Sequence, residues 1–137
     1  MRRLLLIVPG LLLLSLPALA ITSPRPVYPL CSDERLRSCI ENGNTFWYGG
    51  ELMRLENVNP PEPVQQACAP DASTAAAATA RLFELLNFKE IFVFRYGTDA
   101  EGHTLTHVIS GGQDVGQVLL DEHLARPNTA TNGPWCD

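Results

Sequence analysis

The order of strand-like and helix-like patterns is the feature that most constrains the fold of this chain. Residues 45–48 are β-branched or aromatic, Gly49-Gly50 supplies a turn, and the alternating segment "ELMRLENV" follows. This pattern predicts a β-hairpin. Residues 90–97 ("EIFVFRYG") and 104–110 ("TLTHVIS") also alternate between apolar and polar positions. They predict a second pair of antiparallel strands, joined by a polar loop.

A helix separates the two strand pairs. Pro60, Pro61 and Pro63 rule out regular structure, so residues 59–70 are predicted to form a stiff loop. An alanine-rich start and the helical spacing of its apolar residues then predict an amphipathic helix over 73–86. Asp71 or Ser73 can cap its beginning, and Asn87 can end it.

A second helix is predicted after the last strand. Gly111-Gly112 supplies a turn, Asp114 can cap the helix, and apolar residues recur at helical spacing from Val115 to about Leu124. The fold class is therefore α+β and mainly β. The element order fits a small antiparallel barrel with two or three packed helices, and the five-stranded OB-fold barrel is the common small example.

The first twenty residues predict a signal peptide rather than part of the fold. Arg2 and Arg3 precede the apolar run "LLLIVPGLLLLSLPALA", which ends in a small-x-small cleavage pattern. Prolines and a glycine interrupt the run, so a cleaved signal is favoured over a membrane anchor. We therefore expect an exported protein, periplasmic or secreted, with no membrane association after cleavage. Residues 21–30 form an extended lead-in, and 31–137 form one domain.

The charge of the predicted mature chain disfavours nucleic acid as a partner. Removing Arg2 and Arg3 from the 10 basic residues leaves 8 against 15 acidic ones, a formal charge of −7. Lys89 is the only lysine. Non-specific binding to nucleic acid depends on lysine and arginine contacts with phosphates, so it would need a local cluster of arginines.

Four cysteines in a small exported chain favour two disulfides over zinc ligation. The residues are Cys31, Cys39, Cys68 and Cys136, and they lack the paired C-x-x-C spacing of a zinc site. Three pairings are possible. We favour Cys39 with Cys68 and Cys31 with Cys136, because the second bond would tie both chain ends to the body.

The stretch from Cys39 to Glu62, "CIENGNTFWYGGELMRLENVNPPE", resembles the thermonuclease (staphylococcal-nuclease-like) pattern D-G-D-T-x(n)-I-R-L-x-x-I-D-x-P-E. The resemblance continues through "GTDAEGHTLTHV", where the family has D-x-Y-G-R-x-L-A-x-V, and through "GQDVGQVLLDEHLARP". It covers about residues 31–137. It implies an OB-fold barrel and calcium-dependent hydrolysis of DNA and RNA phosphodiester bonds.

The resemblance implies three catalytic positions. Arg54 matches the first family arginine, and Glu62 matches the glutamate that acts on the attacking water. His103 stands where the family has its second arginine. A histidine is mostly neutral near pH 7 and has a shorter reach, so this change removes stabilisation of the transition state.

The resemblance also implies metal and substrate positions, at which this chain has residues that differ from those of the family. Asn44 and Asn59 stand at the two calcium aspartates, and Asn42 stands at the first aspartate of D-G-D-T. Calcium affinity depends strongly on the number of carboxylates, so neutral amides would hold the ion weakly. Glu101 replaces a tyrosine that stacks on the substrate and puts negative charge there.

These substitutions predict a nuclease-like domain that has lost hydrolysis and serves as a binding or structural module. We expect no cofactor in that case, and the sequence identifies neither the partner nor the oligomeric state. One alternative is a weakly active metal-dependent phosphodiesterase that uses Ca²⁺. Another is a generic secreted domain that binds protein or glycan. A nuclease needs a basic groove around Arg54, whereas an interaction domain would show an exposed apolar or aromatic patch.

Overall fold

The computed structural model describes residues 27–32, 37–61, 69–129 and 135, with side chains from residue 72 onward in the first helix. The predicted signal peptide, most of the lead-in, Glu62, Cys68 and Cys136 lie outside the described residues. The elements in chain order are β1 (Cys39–Ile40), β2 (Thr45–Tyr48), β3 (Glu51–Leu55), β4 (Val58–Asn59), α1 (Ala69–Asn87), β5 (Ile91–Thr98), β6 (Thr104–Ser110), β7 (Gln113–Asp114), α2 (Val115–Asp121) and β8 (Arg126–Pro127).

One mixed sheet carries the fold. Its strand order is β1-β2-β3-β6-β5, and β7 pairs with β6. The pairing of β3 with β6 is parallel, whereas the other pairings in this sheet are antiparallel. The short strands β4 and β8 pair separately. The α+β class is therefore confirmed, but over the described residues the sheet is open and not closed into a barrel.

Both predicted strand pairs are confirmed. β2 and β3 form the hairpin around Gly49-Gly50, with Phe46 opposite Met53. The alternation in this hairpin follows burial, since Met53 is fully buried and Arg54 is partly exposed. β5 and β6 pair antiparallel, with Val93 opposite Val108.

The first helix begins earlier than predicted. α1 starts at Ala69, so Asp71 and Ser73 lie inside the helix and the prediction that one of them caps it is wrong. The reason is Pro70, since a proline is tolerated in the first turn, where its missing N–H has no partner to lose. Asn87 is the last helical residue, as predicted. Its side chain donates to the carbonyls of Phe83 and Tyr28 at 2.9 Å each.

The second helix has the predicted cap and a shorter length. Asp114 is the N-cap, and its side chain accepts a hydrogen bond from the Gln117 N–H at 2.8 Å. α2 ends at Asp121 rather than near Leu124. His123 adopts a left-handed conformation with φ of 57°, and this turns the chain out of the helix.

The predicted disulfide pairing is wrong. Cys31 is bonded to Cys39, with their Cα atoms 4.9 Å apart. Therefore neither Cys39–Cys68 nor Cys31–Cys136 forms. The cause is local: Leu30 makes a parallel bridge to Ile40, and the Cys31 N–H donates to the Ile40 carbonyl at 2.9 Å. These contacts place the two cysteines side by side, at a distance that a disulfide can span.

The core lies between the sheet and the two helices. The inner face of the sheet contributes Phe46, Met53, Leu55 and Val108, and α1 contributes the predicted Leu82, Leu85 and Leu86 together with the buried Ala78. Residues Val115 and Leu119 of α2 complete the core. Among the described residues, no helix is long and apolar enough to cross a membrane.

Helix α1 approaches the β1–β2 loop so closely that only glycine fits at position 43. A Cβ on Gly43 would lie 2.7 Å from the Ala78 Cβ and 3.1 Å from the Pro60 Cβ. Gly43→Ala should therefore lower the free energy of unfolding by about 1–3 kcal/mol, measured by urea denaturation. The loss should be smaller in an Ala78→Gly background, because that change removes the nearest atom. Equal losses in both backgrounds would contradict the contact.

Candidate functional site

The loop between β1 and β2 is an asparagine-stabilised turn. The Asn42 side chain accepts a hydrogen bond from the Asn44 N–H at 3.1 Å, which is the geometry of an Asx-turn. The Glu41 and Asn42 N–H groups both donate to the Thr45 carbonyl. Asn42 therefore acts as an acceptor here, a role that either an amide or a carboxylate can fill.

Asn44 uses its amide in a way that a carboxylate cannot. Its Nδ2 donates to the Val58 carbonyl at 3.0 Å, and its Oδ1 accepts from the Thr45 hydroxyl at 2.9 Å. Since the Val58 carbonyl can only accept, the Asn44 nitrogen must face it. The contact joins the β1–β2 loop directly to β4. Two acceptors at that distance would need a cation or a proton between them.

A polar pocket of about 170 Å³ brings the predicted metal positions together. Amides and prolines make up most of the described lining, together with one cation and one carboxylate. The lining residues are Asn42, Asn44, Arg54, Val58, Asn59, Pro60, Pro61, Glu101 and Asn128. The structure thus places Asn44, Asn59, Arg54 and Glu101 around one cavity. Glu62 lies outside the described residues.

Arg54 is bound by two carboxylates at the edge of this pocket. Its Nη1 lies 2.9 Å from Asp99 Oδ2 and 2.5 Å from Glu101 Oε2. Arg54 and Asp99 are largely sheltered from solvent, whereas Glu101 is exposed. The guanidinium is therefore neutralised inside the protein before any anionic ligand arrives.

His103 lies between Arg54 and Asp99, and each of its ring nitrogens has a partner there. Arg54 Nη2 lies 3.3 Å from His103 Nε2, and His103 Nδ1 lies 2.8 Å from Asp99 Oδ2. The guanidinium can only donate, so Nε2 accepts and Nδ1 carries the hydrogen that Asp99 receives. A second proton on Nε2 would face the arginine. Both ring nitrogens of His103 are therefore engaged by Arg54 and Asp99 in this geometry.

Asp99 organises the loop between β5 and β6, a role that the sequence analysis missed. Its Oδ1 accepts from the N–H groups of Glu101 and His103 at 3.0 and 2.9 Å. Burial opposes ionisation of Asp99, but hydrogen bonds from the His103 backbone N–H and ring, together with the electrostatic attraction of His103, outweigh it and hold its pKa below the ordinary value. The sequence signal was an aspartate three residues before Gly102, a pattern typical of a turn.

As far as the structure describes them, neither candidate metal site fits a metal ion with its residues as they stand. Ligand atoms of Asp99, Glu101 and His103 lie within 4.8 Å of one another. The Arg54 guanidinium already occupies the space among them. In the asparagine pocket, Asn44 presents its nitrogen to Val58, which is the wrong polarity for a calcium ligand.

Comparison with models of known protein families gives no match, and comparison with curated protein sequences gives no match either. The resemblance to the thermonuclease pattern therefore depends on the motifs quoted above and on where their residues lie in the fold.

The donor role of Asn44 leads to a matched pair of substitutions. Asn44→Asp removes the hydrogen bond to Val58 and sets a carboxylate against its carbonyl. It should lower the free energy of unfolding by about 1–3 kcal/mol at neutral pH, measured by urea denaturation in a chelator. Asn42→Asp adds the same charge but keeps its acceptor role, so it should cost much less. Equal losses would show that the Asn44 donor is unimportant.

The depressed pKa of Asp99 predicts a pH dependence of stability. Because its folded pKa is below the unfolded value near 4, the ionised carboxylate stabilises the fold above about pH 5. That contribution is lost as the pH falls through the folded pKa. The stability difference between wild type and Asp99→Asn, measured by urea denaturation, should therefore shrink between about pH 5 and pH 2. The exposed Asp121→Asn is the control. A difference that stays constant over this range would contradict the assignment.

Proposed function

We propose that this chain is a nuclease-like domain that does not hydrolyse phosphodiesters and acts as a binding module. The observation that carries the proposal is the ion-pair cluster of Arg54 with Asp99 and Glu101. A guanidinium that stabilises a phosphoryl transition state must be available to the phosphate oxygens. Here two carboxylates bind it, and the exposed one stands where the family has a substrate-stacking tyrosine.

The OB-type barrel is part of this proposal. The β1-β2-β3 meander is followed by a helix, and the chain then returns to pair β6 in parallel with β3. This return of a later strand to an earlier one is Greek-key in character, and OB-folds are partly open Greek-key barrels. The described sheet is open, and its end strands are β1 and β5. It is compatible with an OB-type barrel in which these two strands do not pair with each other.

The charge around Arg54 is unfavourable for the active-enzyme alternative. A working phosphodiesterase would use a cation or a basic groove to neutralise the phosphate. The described lining of the pocket offers amides, one arginine and Glu101. Loss of an arginine that stabilises phosphoryl transfer can cost about a thousandfold or more in rate. We accordingly propose that the protein neither needs calcium nor acts on nucleic acid.

The third reading, a domain that binds protein or glycan, is favoured by one observation. Phe92, Phe94 and Tyr96 of β5 are exposed large apolar residues. They lie on β5, which β6 separates from the strand that carries Arg54. Loss of hydrolysis at the Arg54 site is compatible with binding at this aromatic surface, since a module that no longer cleaves can still bind. Export to the periplasm or the medium remains part of the proposal, with the N-terminal pattern and the Cys31–Cys39 bond in its support.

A nuclease assay tests the proposal. The purified protein is incubated with single-stranded DNA and calcium, manganese or magnesium, beside the variant Asn44→Asp/Asn59→Asp/Glu101→Tyr/His103→Arg. We expect no cleavage by the natural protein. The revertant should gain activity, because Glu101→Tyr releases Arg54 from one carboxylate and the two aspartates restore the charge of a metal site.

Asn57→Asp provides the matched control. It adds one carboxylate at an exposed asparagine outside the pocket, so it should gain no activity. Cleavage by the natural protein at the rate of the revertant would overturn the proposal. Cleavage by neither protein would remove the basis for deriving this domain from a nuclease.

A further inference from the structure

Over the part of the chain that the structure describes, β5 is an edge strand with an open backbone. It pairs with β6 on one side, and it is the last strand of the sheet order among the described residues. An edge strand presents unpaired N–H and C=O groups to which another strand can bond. The register with β6 shifts between Arg95 and Gly97, so the regular part of this edge is Ile91–Arg95. Five residues correspond to about 17 Å of strand.

The edge also exposes aromatic side chains on one face of the sheet. The outer face is the face turned away from α1 and α2. Val93 packs against the core, so Phe92 and Phe94 point to the outer face, where they are 53% and 49% exposed. Each has a neighbour across the strand pair, Ile109 beside Phe92 and His107 beside Phe94. An added strand would place every second side chain against Phe92 and Phe94.

Natural edge strands usually carry features that block such pairing, and β5 carries few of them. Prolines and lysines are absent from Ile91–Thr98. Its one charged residue, Arg95, lies 2.9 Å from Glu51. Hydrogen bonds from Arg95 and then from the Thr104 hydroxyl hold the pKa of Glu51 below its ordinary value, so Glu51 is ionised and neutralises Arg95. The edge therefore does not repel an incoming strand.

The charge around this edge selects the partner. Among the described residues, four carboxylates contact or adjoin β5 or its outer-face neighbour His107, namely Glu51, Glu56, Glu90 and Asp114, whereas the basic residues that precede or belong to β5 are Lys89 and Arg95. Of these two basic groups, Arg95 is bound by a carboxylate, Glu51. Glu56 and Asp114 lie 3.2 and 3.4 Å from opposite ring nitrogens of His107, next to Phe94. An acidic surround attracts cations and repels phosphates or a second acidic copy.

We propose that β5 binds an extended peptide segment that alternates apolar and basic residues, by adding it to the sheet as a further strand. Backbone hydrogen bonds to Ile91–Arg95 provide the affinity, and the alternating side chains provide the specificity. The apolar side chains of the segment pack on Phe92 and Phe94. Its lysines or arginines face the surrounding carboxylates. The proposal goes beyond the loss of hydrolysis and does not depend on it, because β5 and the asparagine pocket are different surfaces.

A binding assay with a synthetic probe tests this proposal. The probe is a fluorescent peptide of alternating valine and lysine about nine residues long, which exceeds the open edge at about 3.3 Å per residue. Its anisotropy is measured against the purified full-length chain. Three comparison probes are the same peptide with alternate backbone nitrogens methylated, the same peptide with glutamate for lysine, and an oligothymidine. We expect saturable binding of the valine–lysine probe and at least tenfold weaker binding of the other three.

Two protein variants locate the binding. Phe92→Lys and Phe94→Lys place charge on the outer face at half-exposed positions, so both should fold, and each should weaken binding of the probe at least tenfold. Phe88→Lys is the matched control, because Phe88 is 73% exposed and lies outside β5. It should leave the affinity within about twofold. Amide hydrogen exchange should slow in Ile91–Arg95 when the probe binds, because new hydrogen bonds form there.

Several outcomes would overturn the proposal. They are equal binding of the methylated or the glutamate probe, tighter binding of oligothymidine, and unchanged affinity in Phe92→Lys and Phe94→Lys. Failure to bind the probe, together with dimerisation that Phe94→Lys abolishes, would assign the edge to a second copy of this chain instead. The nuclease assay is independent of all these readouts, so failure here would leave the proposed loss of hydrolysis intact.

Discussion

Parallel pairing between β3 and β6 is the contact on which the site depends. It sets Arg54 opposite Leu105, so the guanidinium reaches the loop that precedes β6. The buried Thr106 hydroxyl donates to the Arg54 carbonyl, and the Glu56 N–H donates to the Thr106 carbonyl. These bonds join segments separated by all of α1 and β5. Without them, Asp99, Glu101 and His103 would have no arginine to bind, and the pocket would lose one wall.

In the proposed descent from a nuclease, the cluster around Arg54 is a phosphate site that has become a structural one. A guanidinium in a nuclease is left available for an anion, at a cost in stability that a functional site can tolerate. Here the carboxylates of Asp99 and Glu101 bind the guanidinium, and a ring nitrogen of His103 lies 3.3 Å from it. Asn44 makes the corresponding change in the neighbouring loop, because its amide nitrogen bonds directly to Val58. On this proposal, both changes replace a ligand-dependent contact by one within the protein.

Local patterns were enough to predict the hairpins, the Asp114 cap and the end of α1 at Asn87, because each depends on residues a few positions apart. The Cys31–Cys39 bond could not be predicted in the same way, since it depends on Leu30 lying beside Ile40. The roles of Asp99 and Glu101 depend on the parallel β3–β6 pairing, which strand patterns alone do not specify. The open edge of β5 was missed for the same reason: alternation predicts a strand but does not tell which strand ends the sheet.

The central claim is that the charges of this site are satisfied within the protein and no longer need a metal ion. Thermal unfolding in saturating calcium, compared with magnesium at the same ionic strength and with a chelator, tests this claim most directly. An ion that binds the native state must raise the midpoint of unfolding. We predict the same midpoint in all three conditions. A clear upward shift in calcium alone would show that the asparagine pocket still holds the ion, and it would contradict the account.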